Sequence, residues 1–311
     1  MSNDTKSKLE NLFSTLESQF DHNNENSLIE KFNKAEVGST VSVSEHVASL
    51  LNLCKDYYNF TDKKFNVAIA PLISLWQFDD YPTLNFTLPD NESIDALIQK
   101  GFKLENLDVD KDNLTAKKSS ELTVNLGGIL KGYVADLAGQ ILIQDGHSKG
   151  YVSVGGSSLY LLSVQTVSIK HPRPTELLPT ILSINDGNLK NRSLSTSGDY
   201  EKYYTLNGKK YNHLINPFDG MPTSTNVASA TVIGANGSFG DAVTTALCLC
   251  QHAYKKTDTE LITFIKKILS EHPDYSIYVV YDGKDGKELI TNKLLDKDFT
   301  LQDVSYSITN I

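Results

Sequence analysis

The side chains best suited to hold a metal ion lie in the segment Gly-Asp-Ala-Val-Thr-Thr-Ala. Asp241 and Thr245 stand four positions apart at the start of a predicted helix, so both side chains lie on one helical face. Carboxylate and hydroxyl oxygens are ligands that Mg²⁺ prefers, and this ion often completes its shell with water and substrate phosphates. An aspartate in a first helical turn is also typical of a charge that only stabilises the helix end. The pair therefore indicates a magnesium site and leaves a structural role open.

One histidine lies where a predicted strand gives way to a loop. His213 follows a predicted two-residue hairpin at Asn207 and Gly208, and it precedes a turn set by Pro217 and Gly220. Loops at strand ends often carry functional groups, and an imidazole can accept a proton near neutral pH. His213 is a candidate general base, although a histidine that merely ends a strand fits the same pattern.

A glycine pair separates an apolar run at 122–126 from a segment with apolar residues every four positions. We predict a strand, a tight loop at Gly127 and Gly128, and a helix with Lys131 in its first turn. Glycines let the backbone approach a ligand closely, and free N–H groups in a first helical turn attract an anion such as phosphate. A plain strand-to-helix turn explains the stretch as well, so other segments must decide.

The elements around these residues alternate between helices and strands. Apolar spacing predicts helices at 41–60, 240–253 and 259–270, while strands and turns alternate within 151–235. We find no internal repeat, low-complexity block or linker. The sequence therefore predicts one α+β unit over residues 1–311, with a mixed or antiparallel sheet and flanking helices.

Composition narrows the classes of partner. The chain has 311 residues, 40% of them hydrophobic, and a net charge of -9. It lacks the excess of cations that neutralises nucleic-acid or membrane phosphates. No apolar run is long enough to span a membrane, so we expect a soluble chain without nucleic-acid partners. Cys54, Cys248 and Cys250 are too few for a disulfide framework or a four-ligand zinc site, and we expect them to be buried.

Five motifs follow one another along the chain. They are Gly-Gly-Ile-Leu-Lys-Gly-Tyr-Val-Ala-Asp at 127–136, Gly-Gly at 155–156, Thr-Ser-Gly-Asp-Tyr-Glu at 196–201, His-Leu-Ile-Asn-Pro-x-x-Gly-x-Pro at 213–222 and Asp-Ala-Val-Thr-Thr-Ala-Leu at 241–247. In this order they resemble the ApbE family of FAD:protein FMN transferases. Upstream, segments 27–33 and 65–78 also fit the family pattern. A Walker loop and a GxGxxG fingerprint are both missing, which argues against common phosphate-binding templates.

The resemblance implies transfer of FMN from FAD to a threonine or serine hydroxyl of an acceptor flavoprotein, with Mg²⁺ required and AMP released. It implies that Asp241, Thr245 and the backbone carbonyl of Leu130 are metal ligands. It implies that His213 accepts the hydroxyl proton. The positions that would line the FAD site are Asn33, Gly128, Lys131, Gly156 and Ser197.

The family's leading strand, with its Met-Gly-Thr, has no counterpart in the sequence. Family members are commonly exported lipoproteins. The resemblance therefore implies an extracytoplasmic protein, lipid-anchored in a longer form from which a signal and leading segment were trimmed. A divergent cytoplasmic member is the alternative.

Four positions depart from the family pattern. Asn125, Ser157 and Asn216 stand where the family carries aspartates, and Asp219 stands where it carries a threonine. The predicted metal pair and the histidine are intact, so we predict an active enzyme. The alternatives are an Mg²⁺-dependent FAD pyrophosphatase, in which water replaces the protein hydroxyl, and a non-catalytic FAD-binding protein.

Overall fold

The computed structural model describes residues 1–79, 81–164, 166–187 and 189–311. Its α-helices are α1 (Asn3–Phe20), α2 (Leu28–Lys34), α3 (Glu45–Phe60), α4 (Ala70–Leu75), α5 (Asn91–Lys100), α6 (Leu130–Gln144), α7 (Gly237–Cys248) and α8 (Glu260–Glu271). Its strands are β1 (Thr40–Ser42), β2 (Leu107–Asp110), β3 (Thr115–Lys118), β4 (Gly150–Val154), β5 (Ser158–Ser163), β6 (Val167–Lys170), β7 (Thr180–Ile184), β8 (Arg192–Gly198), β9 (Tyr203–Leu206), β10 (Lys209–Asn212), β11 (Val227–Gly234), β12 (Ser276–Gly283), β13 (Gly286–Thr291), β14 (Phe299–Leu301) and β15 (Ser307–Asn310).

A central sheet within the described residues joins seven strands in the order β15-β13-β12-β11-β8-β5-β4. Its neighbouring strands are antiparallel, except that β13 and β15 run parallel. Helices flank this mixed sheet, which confirms the predicted α+β class.

The two faces of the central sheet are covered differently. Helices α6 and α7 lie side by side on one face, over β5, β8 and β11. A smaller sheet in the order β14-β7-β6 packs on the other face. The side chains of β8 follow the alternation of a strand. Ser193, Ser195 and Ser197 bond to the helices, whereas Leu194 lies in the opposite core with Phe299.

Two short-range predictions are confirmed. β9 and β10 pair as an antiparallel hairpin, with φ of 51° at Asn207 and 73° at Gly208, the positive values that such a two-residue turn requires. All three cysteines are free and buried.

Of the helices in the described ranges, none is both long enough and apolar enough to cross a bilayer.

Two predicted helices have different bounds in the structure. The helix predicted at 41–60 begins at Glu45, because Ser44 caps it and the preceding β1 pairs with β3. The helix predicted at 240–253 begins at Gly237 and ends at Cys248, because the Asn236 side chain accepts a hydrogen bond from the first turn. α8 lies within one residue of its predicted position.

The prediction of a strand at 122–126 is wrong. The Val124 N–H donates to Asn33 Oδ1 at 2.9 Å, and Asn33 Nδ2 donates to the Val124 carbonyl at 3.1 Å. The Asn125 N–H donates to the carbonyl of Val67. The Asn33 side chain and the Val67 carbonyl therefore hydrogen-bond to backbone groups that would pair with a neighbouring strand in a sheet. The apolar residues of this extended segment reflect burial against the core.

Helices α6 and α7 hold each other through a reciprocal pair of aspartates. Asp241 of α7 accepts a hydrogen bond from the Gly132 N–H of α6, at 2.7 Å. Asp136 of α6 accepts one from the Gly237 N–H at the start of α7, at 2.8 Å. First-turn N–H groups have no partner inside their own helix, so each carboxylate satisfies a donor of the other helix. We call this pair of contacts the aspartate clasp.

Two glycines make the aspartate clasp sterically possible. A Cβ on Gly132 would overlap the backbone carbonyl of Gly237, and a Cβ on Gly237 would lie 2.8 Å from Asp136 Oδ1. Because the obstacle at Gly132 is backbone, it cannot rotate away. The two helices can approach this closely only when position 132 carries no side chain.

We expect Gly132→Ala to lower the free energy of unfolding by about 1–3 kcal/mol or more, since the added methyl group forces α6 and α7 apart. Urea denaturation followed by circular dichroism measures this change. Gly187→Ala is a matched control, because among the described residues no heavy atom beyond its chain neighbours lies within 4 Å of the added Cβ. We expect that control to stay within about 0.5 kcal/mol of the wild-type protein. Equal stability of the two variants would contradict the steric argument.

Candidate functional site

A cavity of about 570 Å³ lies beside the starts of α6 and α7. This volume falls in the range of small-molecule sites. Part of its wall is apolar and is formed by side chains such as Phe65, Val67, Ile69, Ile73 and Phe78. The polar residues among its lining include Lys131, Ser157, Ser197, Asp241 and Thr245. The cavity therefore suits a ligand with both a flat apolar part and an anionic part.

The predicted metal pair lies in this wall. Asp241 is buried, and its two carboxylate oxygens accept hydrogen bonds from the Gly132 N–H and the Ser158 hydroxyl, each at 2.7 Å. The Thr245 hydroxyl donates to the Asp241 carbonyl at 3.1 Å. Each carboxylate oxygen accepts about two hydrogen bonds, so both side chains keep lone pairs for a cation. Burial raises the pKa of Asp241, whereas the Ser158 bond and the charge of Lys131 act in the opposite direction.

The donor set around this pair contains only oxygen atoms. Leu130, whose carbonyl is the third predicted ligand, lines the same cavity. Across the described ranges, no three His, Cys, Asp or Glu side chains are grouped as metal ligands. One carboxylate, one hydroxyl and one carbonyl fit Mg²⁺, which keeps several water or phosphate ligands, better than a metal that needs nitrogen or sulfur.

Lys131 places a positive charge in the cavity. Its Nζ donates to Ser157 Oγ at 2.5 Å. Within the described part of the chain it forms no salt bridge with a carboxylate, although the Asp241 carboxylate lies close enough for the two charges to interact. The ammonium is therefore available to an anionic ligand, next to the first turn of α6.

His213 lies on the cavity wall with one nitrogen already engaged. Its Nδ1 is 3.2 Å from the carbonyl oxygen of Lys202. A carbonyl only accepts hydrogen bonds, so Nδ1 carries the proton and Nε2 keeps the free lone pair. Burial lowers the pKa of His213 to about 4, and the charges of Lys202 and Lys131 also lower it. The imidazole is therefore neutral at pH 7 and able to accept a proton.

The structure brings most of the predicted site residues to this one cavity. Those that line it are Gly128, Leu130, Lys131, Ser197, His213, Asp241 and Thr245. Asn33 and Gly156 are not among the lining residues. Asn33 instead holds the backbone of Val124, and Gly156 adopts a φ of 73° in the turn between β4 and β5, between two residues that do line the cavity. Their contact with FAD stays a prediction.

Two of the departing positions pair with each other. Asn216 Nδ2 donates to Asp219 Oδ2 at 3.1 Å. Asn216 Oδ1 accepts from the Phe218 N–H, and Asp219 Oδ1 accepts from the Met221 N–H. An amide and a carboxylate thus close the turn that follows His213, and every contact in it is a normal donor–acceptor pair.

Three residues support the site although the sequence analysis did not predict that role for them. Ser158 fixes one oxygen of Asp241, and the carbonyl of Lys202 sets the His213 tautomer. Asp136 holds the start of α7, and burial raises its pKa to about 6. Only Asp136 could have been suspected, because it ends the glycine-loop motif.

The fold and the cavity define an α+β protein in which oxygen donors, a lysine and a histidine surround one ligand-sized space. The family model described as "ApbE family" matches residues 2–260. The chain therefore belongs to the ApbE family, as the sequence motifs predict.

Curated relatives agree with this assignment, and a solved structure shares the fold. The FAD:protein FMN transferase of Buchnera aphidicola subsp. Schizaphis graminum is 29% identical over 234 residues, covering 72% of this chain and 66% of that protein. That of Chlamydia muridarum is 31% identical over 252 residues, covering 77% and 74%. This chain thus spans about two thirds to three quarters of the length of these relatives. The flavin transferase ApbE from Vibrio cholerae superposes with a TM-score of 0.77 at 20% identity, covering 94% and 89%, which shows a common fold.

We expect His213 to titrate near pH 4 instead of near 6.5, because burial and two lysines disfavour its charged form. NMR of the imidazole signals between pH 3.5 and 8, assigned with His213→Gln, measures this pKa. As pH falls from 6.5 to 4, the unfolded chain takes up a proton that the folded protein does not, so the free energy of unfolding falls in this window. His213→Gln should lose that part of the pH dependence. A pKa near 6.5 would contradict the assignment.

Proposed function

We propose that this protein transfers FMN from FAD to a threonine or serine hydroxyl of an acceptor flavoprotein, in an Mg²⁺-dependent reaction that releases AMP. The observation that carries the proposal is one cavity lined by His213, by Lys131 and by the oxygen pair Asp241 and Thr245. The relatives named FAD:protein FMN transferase support it. We also propose that transfer takes place outside the cytoplasm.

In this reaction, side chains of the protein accept the proton of the acceptor hydroxyl and hold the charged phosphate. The acceptor hydroxyl oxygen forms a bond to the phosphorus on the FMN side, and the phosphorus–oxygen bond to AMP breaks. Nε2 of His213 takes the hydroxyl proton, a contribution of about 10²–10⁴-fold. Lys131 holds a phosphate oxygen by charge. Asp241, Thr245 and the Leu130 carbonyl would hold Mg²⁺, which when bound neutralises phosphate charge.

Incubation with FAD, Mg²⁺ and a candidate acceptor domain tests the proposal. Chromatography detects AMP, and fluorescence on a denaturing gel detects covalent flavin. Both products together support a transferase. AMP without covalent flavin would instead indicate a pyrophosphatase, and bound FAD with neither product a binding protein.

We expect Asp241→Asn to abolish turnover, because it removes the only charge of the proposed metal ligands while an amide oxygen can still accept the Gly132 hydrogen bond. Magnesium titrations of AMP release measure this loss. Turnover at the wild-type rate would show that Asp241 is not a metal ligand.

We expect His213→Gln to slow transfer by about 10²–10⁴-fold with FAD affinity nearly unchanged, because only the proton acceptor is lost. Single-turnover kinetics and FAD titration separate the two quantities. His147→Gln is the matched control, since His147 does not line the cavity. Loss of FAD binding together with rate would indicate a binding role for His213 instead.

A further inference from the structure

Four side chains of alternating charge lie beside the turn that carries the Lys202 carbonyl. Arg173 donates to both carboxylate oxygens of Asp199, at 2.7 Å from Nη1 and at 2.7 Å from Nη2. Lys210 Nζ lies 3.3 Å from Asp199 Oδ1. On the other side of the guanidinium, Nε lies 3.5 Å from Asp282 Oδ2. Two cations therefore hold Asp199, and the one at Arg173 does so through a bidentate contact, which fixes orientation as well as distance.

These four charges come from separate segments of the chain. Arg173 lies between β6 and β7, Lys210 in β10 and Asp282 in β12, whereas Asp199 directly follows the last residue of β8. The side chains of Asp199 and Asp282 are only 15% and 16% exposed. Isolated ion pairs in water contribute little, but bidentate geometry within a network of charges is where they do contribute. The network therefore fixes the connection between β8 and β9 against three other segments.

The connection between β8 and β9 forms part of the cavity wall. Gly198, Glu201 and Lys202 line the cavity, on either side of Asp199 in the sequence. Asp199 is not among the lining residues, and its own N–H donates to the carbonyl of Ala228 in β11 at 3.1 Å. Any effect of Asp199 on a ligand in the cavity therefore passes through other residues.

The Lys202 carbonyl is the group through which this turn contacts His213. It accepts one hydrogen bond from the His213 N–H at 3.1 Å and a second from Nδ1 at 3.2 Å. A carbonyl has two lone pairs, so both are used on the same residue. A shift of the turn would therefore loosen the backbone and the ring of His213 together.

The charge of Asp199 also acts on the imidazole. Burial lowers the pKa of His213, and the charges of Lys202 and Lys131 act in the same direction. The hydrogen bond to the Lys202 carbonyl and the charge of Asp199 act in the opposite direction. Asp199 is thus a carboxylate that favours the protonated ring, the form that arises when the base accepts a proton.

We propose that Asp199, held by Arg173, is a positioning residue for His213. It fixes the turn so that the Lys202 carbonyl keeps the imidazole proton on Nδ1 and leaves Nε2 free for the acceptor hydroxyl. A base that is itself oriented by a further polar group is typical of sites that activate a hydroxyl. The inference rests on the proposed function for the reaction, whereas the positioning is a property of the protein without substrate.

Single-turnover transfer and FAD titration test the effect on the reaction. Asp199→Asn removes the charge and leaves an oxygen for Arg173. We expect it to slow transfer about 10- to 100-fold, since small displacements of a reacting group have effects of this size. The Kd for FAD should stay within about threefold, because the residues that line the cavity are unchanged.

Nitrogen-15 NMR of the imidazole tests the positioning without any turnover. It distinguishes a protonated ring nitrogen from an unprotonated one, and His213→Gln assigns the signals. Near pH 7 the wild-type protein should show one tautomer of His213, with the proton on Nδ1. Asp199→Asn should show a mixture of both tautomers. Arg173→Lys keeps the positive charge but loses the bidentate contact, so it should show a smaller change of the same kind.

A double variant tests whether Asp199 and Arg173 act as a unit. Arg173→Gln should slow transfer as much as Asp199→Asn does, and the double variant should be no slower than either, since coupled residues are not additive. Arg192 and Asp274 provide the matched control, because they form an arginine–aspartate pair at 2.5 Å and neither lines the cavity. Arg192→Gln and Asp274→Asn should transfer FMN at the wild-type rate and keep one His213 tautomer.

The outcomes separate this inference from the proposed function. One unchanged tautomer in both Asp199→Asn and Arg173→Lys, a wild-type transfer rate in Asp199→Asn, additive losses in the double variant, or an equal loss in the control pair would each overturn the positioning role. If the wild-type protein transfers FMN in those cases, the proposed function stands. If it forms neither AMP nor covalent flavin, the proposed function fails, and a tautomer mixture in Asp199→Asn still supports the positioning of His213. Circular dichroism checks the fold of each variant. If Asp199→Asn does not fold, Arg173→Lys decides by its tautomers and its transfer rate.

Discussion

The arrangement of the cavity depends on the aspartate clasp between α6 and α7. Asp241 accepts the Gly132 N–H with one oxygen and lines the cavity with the same carboxylate. The group that holds the helices together is therefore also the proposed metal ligand. Asp136 is the reciprocal member, and its buried charge is compensated by N–H donors at the start of α7. The contact that packs α6 against α7 therefore also positions the proposed ligand oxygens of Asp241.

The charges around the cavity favour an anionic ligand. Lys131 bonds to a hydroxyl instead of a carboxylate, and burial and nearby lysines lower the pKa of His213. An anionic substrate would place a negative charge beside both groups. It would also favour the protonated imidazole, since an added negative charge stabilises a nearby positive one. Electrostatics thus connects the phosphate-binding lysine with the basicity of the histidine.

The positions that depart from the family pattern show which contacts a sequence pattern can predict and which it cannot. The sequence predicts the loss of carboxylates at Asn125 and Asn216, but it does not predict their partners. Asn216 bonds to Asp219 three residues later, whereas Asn125 bonds to Asp79 from another segment. The first pairing lies within reach of turn rules. The second depends on how two distant loops pack, which no local pattern encodes.

The sequence by itself determined the features that depend on neighbours within about four residues. These are the Asn207-Gly208 hairpin and the shared face of Asp241 and Thr245. The order of the motifs along the chain also predicted the family. Tertiary structure alone decided that 122–126 is held by Asn33 instead of a sheet, that α6 and α7 meet across more than a hundred residues, and that the pKa of His213 is lowered. Those outcomes depend on desolvation and on long-range contacts, which form only when the whole chain packs.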